Sequence, residues 1–343
     1  MPHSHHSHSG DYIAHGVDPL ESVIARVLDL QFHTYCLTEH MPRLNDKFLY
    51  PEEIEGRQDT AALEKQFQKY LQHARNIKRR INDDSSNRTR ILIGTEIDVC
   101  DREHIEYAKV LLEKEEDIQF LVGSCHHVDG VPIDFDLDTW KQALRETAGN
   151  NIKTFLIKYF QTQYEMLHHV KPLVVGHFDL IRLFFPQCGL FVNPATGEVV
   201  SADAPAAVAV ADICSDQIMT LWDEVQEEIV RNLKFIESYG GAIEINTSGL
   251  RKKLKYPYPH KDICDLVKKY CGGRFVLSDD AHGVSQVATN YLKALDFIQK
   301  DLHLQQMFYL EENELTKEVK INQQSIDDFS KDIFWDILKQ KPL

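Results

Sequence analysis

Apolar residues along the chain fall into two kinds of segment that alternate. Short runs, most of them rich in Ile, Val, Leu or Phe, occupy residues 2–8, 34–38, 90–97, 119–123, 172–176, 241–246 and 274–278. Continuous apolar runs of this length suit strands buried on both faces. Between them, helical spacing predicts helices over 19–30, 60–81, 103–115, 139–170, 217–239 and 260–270. Asp18 is the expected N-cap of the first helix, with Pro19 at its first position. This alternation predicts a parallel sheet with right-handed crossovers. Seven such units point to an α/β chain folded as a closed or nearly closed (β/α)7 barrel rather than an open sheet. Two stretches break the pattern. Residues 186–215, rich in Gly and Ala, predict an insertion after the fifth strand. Residues 301–343 are charged and predict an extension packed outside the barrel. The expected organisation is one domain over 1–343 with its core at about 1–300.

Composition narrows the class. The chain has 343 residues, 43% hydrophobic and 27% charged, as in ordinary globular proteins. No apolar run reaches the length of about 18 residues that a membrane span needs. The first residues are polar and His-rich, unlike a secretory signal. A net charge of -15 argues against nucleic acid or an anionic membrane as the main partner, since both need a positive field. Seven cysteines without a C-x-x-C pair fit reduced thiols in a cytoplasmic protein.

The 17 histidines matter through their placement. In a parallel barrel the active site is built from the C-terminal strand ends. Read in order, those ends present His6 and His8 with His15 shortly after, then His40, Glu96, His126, His177, and finally Asp280 and His282. His-x-His on an extended segment puts both rings on one side, where both can reach one ion. Asp280 and His282 share that spacing, and the two oxygens of Glu96 can bridge two ions. A set of nitrogens and oxygens without thiolates suits Zn, Fe or Mn. Taken alone, the run PHSHHSHSG is compatible with a solvated polar terminus. It also contains a second H-x-H, His3-Ser4-His5, and Asp279 competes with Asp280. His33, His73, His104, His168, His169 and His303 read as structural, and His127 reads as exposed.

The segments HSHHSHSGDYIAHG, LTEH, GTEID, GSCHH, GHFDLIR, EINTSGLRK and SDDAH resemble the PHP (polymerase and histidinol phosphatase) metallohydrolase superfamily. The last two but one are more specific and favour its histidinol-phosphate phosphatase branch, of fungal type. The resemblance implies a distorted (β/α)7 TIM-like barrel with a centre of three divalent ions. His6, His8, Glu96 and Asp280 would hold the first, Glu96, His126 and His177 the second, and His15, His40 and His282 the third. Preferring His6 and His8 puts His15 near the family spacing, with one extra residue, and only Asp280 fits D-x-H. The implied reaction converts L-histidinol phosphate to L-histidinol and inorganic phosphate, in histidine biosynthesis, by a metal-bridging hydroxide. Glu96, Asp280 and His282 would be catalytic. By resemblance and position, Arg182 and Arg251 are the expected phosphate ligands; Glu39 and Asp179 are expected to orient a ligand His or bind the substrate amine. Lys252 and Lys253 read as solvated neighbours. A nucleotide- or nucleic-acid-directed phosphoesterase of the same superfamily is the first alternative, and a non-catalytic barrel used for interactions the second.

Overall fold

A computed structural model describes residues 1–214, 217 and 219–341. Seven strands form one parallel sheet in chain order: β1 (His3–Ser4), β2 (Thr34–Leu37), β3 (Arg90–Asp98), β4 (Phe120–Ser124), β5 (Val174–Val175), β6 (Ala242–Asn246) and β7 (Phe275–Ser278). The last strand returns to the first. Ser7 and Ala281 form a parallel bridge; His8 N donates to Ala281 O at 2.7 Å and Asp280 N to His6 O at 3.1 Å. The sheet is thus a nearly closed seven-stranded barrel, and its seam joins the first and last ligand-bearing segments.

The outer helices include α1 (Leu20–Asp29), α2 (Thr60–Asn82), α3 (Arg102–Lys114), α4 (Leu137–Ala148), α5 (Ile152–Val170), α6 (Asp223–Tyr239) and α7 (Lys261–Tyr270). Three local expectations need correction. Asp18 does not cap α1; its carboxylate accepts from Val284 N, and Asp11 accepts from Leu20 N, both at 2.8 Å. The single helix expected over 139–170 is two. Gly149 and Asn150 take left-handed φ of 60°, and the Asn151 side chain then caps α5 by accepting from Thr154 N. Gly-Asn-Asn is a stop followed by a start. The helix expected from 217 begins at Asp223; Gln217 lies in a turn, and residues 215, 216 and 218 are outside the described set.

After β5 the insertion forms a small antiparallel sheet in the order Val208–Ala209, Phe191–Val192, Val199–Val200, tied to the start of α6 by Trp222 Nε1 donating to Pro194 O at 2.8 Å. The expected end of this insertion, Ser215, lies outside the described residues. The C-terminal region does more than pack on the outer wall. Its hairpin, β8 (Gln306–Glu312) with β9 (Val319–Ser325), sets Phe308, Leu310 and Val319 against Cys36, Leu92, Phe120, Val122, Val174, Ala242 and Val276. Four of these strand residues precede a ligand by four and so share its face: Cys36 before His40, Leu92 before Glu96, Val122 before His126 and Val276 before Asp280. The hairpin therefore plugs the floor of the barrel, an apolar layer stands on it, and the polar layer stands above that.

Candidate metal centre

Above the apolar layer the strand ends deliver their polar side chains to a cleft of about 310 Å³. Glu96 is its centre, buried on β3. Its two oxygens face different partners. Oε2 lies 3.1 Å from His6 Nε2, 3.2 Å from His8 Nε2 and 3.1 Å from His40 Nδ1. Those three nitrogens are buried, yet none is aligned to hydrogen-bond with it. Oε1 lies 3.0 Å from His177 Nε2 and 3.4 Å from His126 Nε2, and the latter two nitrogens are 3.2 Å apart. Asp280 Oδ1 approaches His6 and His8 at 3.8 and 3.7 Å. Two ligand atoms on one tetrahedral ion at ~2.0–2.1 Å are about 3.3 Å apart. The spacings around Glu96 match such edges, and on the Oε2 side the missing alignment means that the atoms aim at a common point rather than at each other.

Three ligand groupings fall within 4.8 Å: His6, His8 and Glu96; Glu96, His126 and His177; and His8, His40 and His282; Asp280 joins through a fourth grouping with His6 and His177. His15 is not in any of them. Its ring stands 5.0 Å from that of His282 and 5.6 Å from that of His40. Its Nδ1 pairs with Glu52 at 3.5 Å on the half-buried rim of the cleft.

The charge balance also calls for cations. Burial alone would push the Glu96 carboxyl up, but His6, His40 and His126 hold it well below the usual carboxylate range. Asp98, Glu244 and Asp280 are likewise held down against burial, by Arg43, His6 and His6 respectively as the foremost partners. Four buried ionised carboxylates need positive charge nearby. Burial depresses His40 to about 4 and His282 well below its ordinary value, which leaves these rings neutral, as ligation requires. The surrounding carboxylates outweigh burial at His6, His8 and His126 and raise them, His8 to about 9, so each of these rings holds a proton that a cation would displace. The residues present fit a cluster of divalent cations.

The two readings of the N-terminal run separate here. His3 and His5 spend their rings on backbone: His3 Nε2 accepts from Leu277 N at 3.0 Å and His5 Nε2 from Leu310 N at 2.9 Å. Asp279 accepts from the Ser4 hydroxyl and from Ala288 N, both at 2.8 Å. Asp280, with a left-handed φ of 50°, turns into the cluster. A non-glycine residue held there stores strain of the kind that collects at functional sites.

Residues 4–248 match the PHP domain. The chain is 50% identical over 339 residues, 97% of its length and 99% of the other, to a histidinol-phosphatase of Saccharomyces cerevisiae. This chain belongs to the PHP family.

Two crystal structures share its fold. A HisK protein from Listeria monocytogenes has a TM-score of 0.66 at 21% identity, over 85% of this chain and 99% of that one. The histidinol phosphate phosphatase of Lactococcus lactis, complexed with Zn, L-histidinol and phosphate, has a TM-score of 0.56 at 15% identity, over 87% and 93%. The PHP match ends just after β6, so Asp280 and His282 lie beyond it and reach the site through closure of the barrel seam.

Several residues of this PHP site carry no expectation from sequence. Asp98 takes His126 Nδ1 at 2.5 Å, His40 Nδ1 at 3.4 Å and Arg43 at 2.7 Å. Glu244 lies 3.2 Å from His6 Nδ1 and accepts from His177 N at 2.6 Å and Asn246 Nδ2 at 2.7 Å. Carboxylates in these places fix ring orientation and raise ligand basicity. The available signal is alternation: Asp98 is two beyond Glu96, and Glu244 two before Asn246. Glu39 has an orienting position, accepting from Ser9 Oγ at 2.7 Å and standing 3.4 Å from His8 Nδ1.

Three expectations are displaced. Arg182 is buried and engaged: it pairs with Asp179 at 2.6 Å, donates to Pro257 O at 2.5 Å and stacks on Tyr258 at 4.8 Å. Asp179 also accepts from His260 N at 2.8 Å. This pair braces the 256–260 segment and does not line the cleft, so neither residue is placed to take phosphate or amine. Arg251 does line it, positioned by Asp279 O at 3.2 Å and Asp280 O at 3.0 Å, with Lys252 beside it. His127 is buried, with its ring against Phe48.

Proposed function

We propose that this chain is a histidinol-phosphatase that hydrolyses L-histidinol phosphate at a cluster of three divalent ions, Zn, Fe or Mn. The observation that carries the reading is the division of Glu96, one oxygen toward His6 and His8 and the other toward His126 and His177. His8, His40 and His282 flank the third position, with His15 at its mouth. The substrate follows from the closely related yeast enzyme and from the ligands of the Lactococcus lactis structure. When bound, divalent ions neutralise phosphate oxygens and bring the pKa of a bound water toward neutrality.

The protein's own groups do the rest. Arg251 carries five N–H donors; two backbone carbonyls set the direction of its guanidinium, which then offers charge-assisted bonds to the phosphate. Lys252 adds a positive point charge on the same wall. Glu39, Asp98 and Glu244 hold the ring nitrogens of His8, His126 and His6 so that the opposite nitrogens face the centre. Tyr50 and Leu180 close the sides of the cleft.

The deciding experiment measures phosphate release from L-histidinol phosphate beside a panel of nucleotides, with metal analysis of the same protein. Selective release from histidinol phosphate with close to three ions per chain is expected. Preference for a nucleotide sinks the substrate assignment. Arg251→Ala is expected to raise KM for histidinol phosphate by about ten- to a hundredfold, as loss of hydrogen bonds to a charged group does; an unchanged KM removes Arg251 from the phosphate site.

A further inference from the structure

The cleft has a second chemical demand besides phosphate. The proposed substrate carries an ammonium group a few bonds from its ester oxygen, and that charge needs a carboxylate once the cleft excludes water. Four carboxylates line the cleft. Glu96 and Asp280 belong to the ligand cluster, and Glu52 pairs with His15. Asp134 is different. Its Oδ1 is buried, and no hydrogen bond satisfies it among the described residues. A buried carboxylate oxygen without a partner is costly, and a cationic group brought to it from the cleft would remove that cost.

Its position is fixed from below. After β4 the chain makes a short hairpin, His127–Val128 against Val131–Pro132, and Ile133 N donates to His126 O at 3.0 Å. That bond ties the segment carrying Asp134 to a member of the ligand cluster, while Arg251 and Lys252 contribute the cationic part of the cleft lining. Phe135, 41% exposed, also lines the cleft next to it. The cleft thus has cationic groups for the phosphate and one unpaired anion for the opposite charge.

We infer that Asp134 is the specificity-determining residue that pairs with the substrate's ammonium group. This rests on the reading of the chain as a histidinol-phosphatase. The test compares kcat/KM for L-histidinol phosphate with that for the analogue whose amino group is replaced by hydrogen, in wild type, Asp134→Asn and Asp134→Glu, each with its metal content measured. The preference for the amine-bearing ester is expected to fall about ten- to a hundredfold in Asp134→Asn, through KM. Asp134→Glu, which keeps the charge, should fall between that variant and wild type. An equal loss on both esters, or a loss that follows metal content, overturns the inference, because Asp134 would then serve the ions or His126. A preference identical in all three proteins overturns it as well. A wild type that favours a nucleotide overturns the substrate assignment itself, and the inference with it.

Discussion

Glu96→Gln is expected to lower kcat/KM for histidinol phosphate about a thousandfold or more, equivalent to ~4 kcal/mol of transition-state stabilisation. The amide keeps the size of the side chain and removes its charge. It also replaces one of two acceptor oxygens by an NH₂ group that cannot ligate. Because Oε1 and Oε2 face separate sets of His, one substitution damages two ligand groupings together. Metal analysis should therefore show fewer ions per chain, with the loss shared between positions rather than confined to one. His15→Ala gives the contrast, since that ring stands outside the close ligand groupings; its cost should be much smaller. Wild-type turnover and ion content in Glu96→Gln would remove the bridging role.

Arg43→Ala has the largest expected effect on stability, about 3–5 kcal/mol. Arg43 and Asp98 are both buried and pair at 2.7 Å. Truncating the arginine leaves an ionised carboxylate in the interior facing His40 and His126. It also removes the guanidinium that covers the Tyr50 ring at 4.3 Å. A denaturant midpoint reads the loss. Arg43→Lys should recover only part of it, because an ammonium lacks the planar fork and stacks less well. A midpoint within experimental error of wild type would show that the pair contributes nothing.

Most strand ends were legible because His40, Glu96, His126, His177 and Asp280 close or closely follow apolar runs, and a barrel directs all such ends to one rim. The residues behind the ligands were not legible in the same way. Asp98 and Glu244 sit inside strands, where a carboxylate reads as a tolerated polar position until its neighbours are known. Their period-two spacing from Glu96 and Asn246 is the one local sign. Arg182 shows the opposite failure. A guanidinium soon after a strand end has the right chemistry for phosphate, but only tertiary structure reveals that Asp179 and the carbonyls of Tyr256 and Pro257 already engage it. The N-terminal run was ambiguous for a similar reason, since two H-x-H registers are chemically equal and are separated only by what each ring touches. The break at Gly149–Asn151 carried a clear turn signal that the apolar periodicity on both sides obscured.

The seam and the floor of the barrel also bear on synthesis. His6 and His8 are made before every other ligand, yet Asp280 and His282 come more than 270 residues later, and the hairpin that bonds His5 later still. A nascent chain therefore carries half of an ion site through most of translation, with its N-terminal imidazoles exposed. Contacts of such long sequence separation form slowly, and the full set of ligands is together only once the segment carrying Asp280 and His282 has been made. The grouping of Glu96, His126 and His177 needs only β3 to β5 and that of His6, His8 and Glu96 only the first three strands, whereas Asp280 and His282 join when the two ends of the barrel meet.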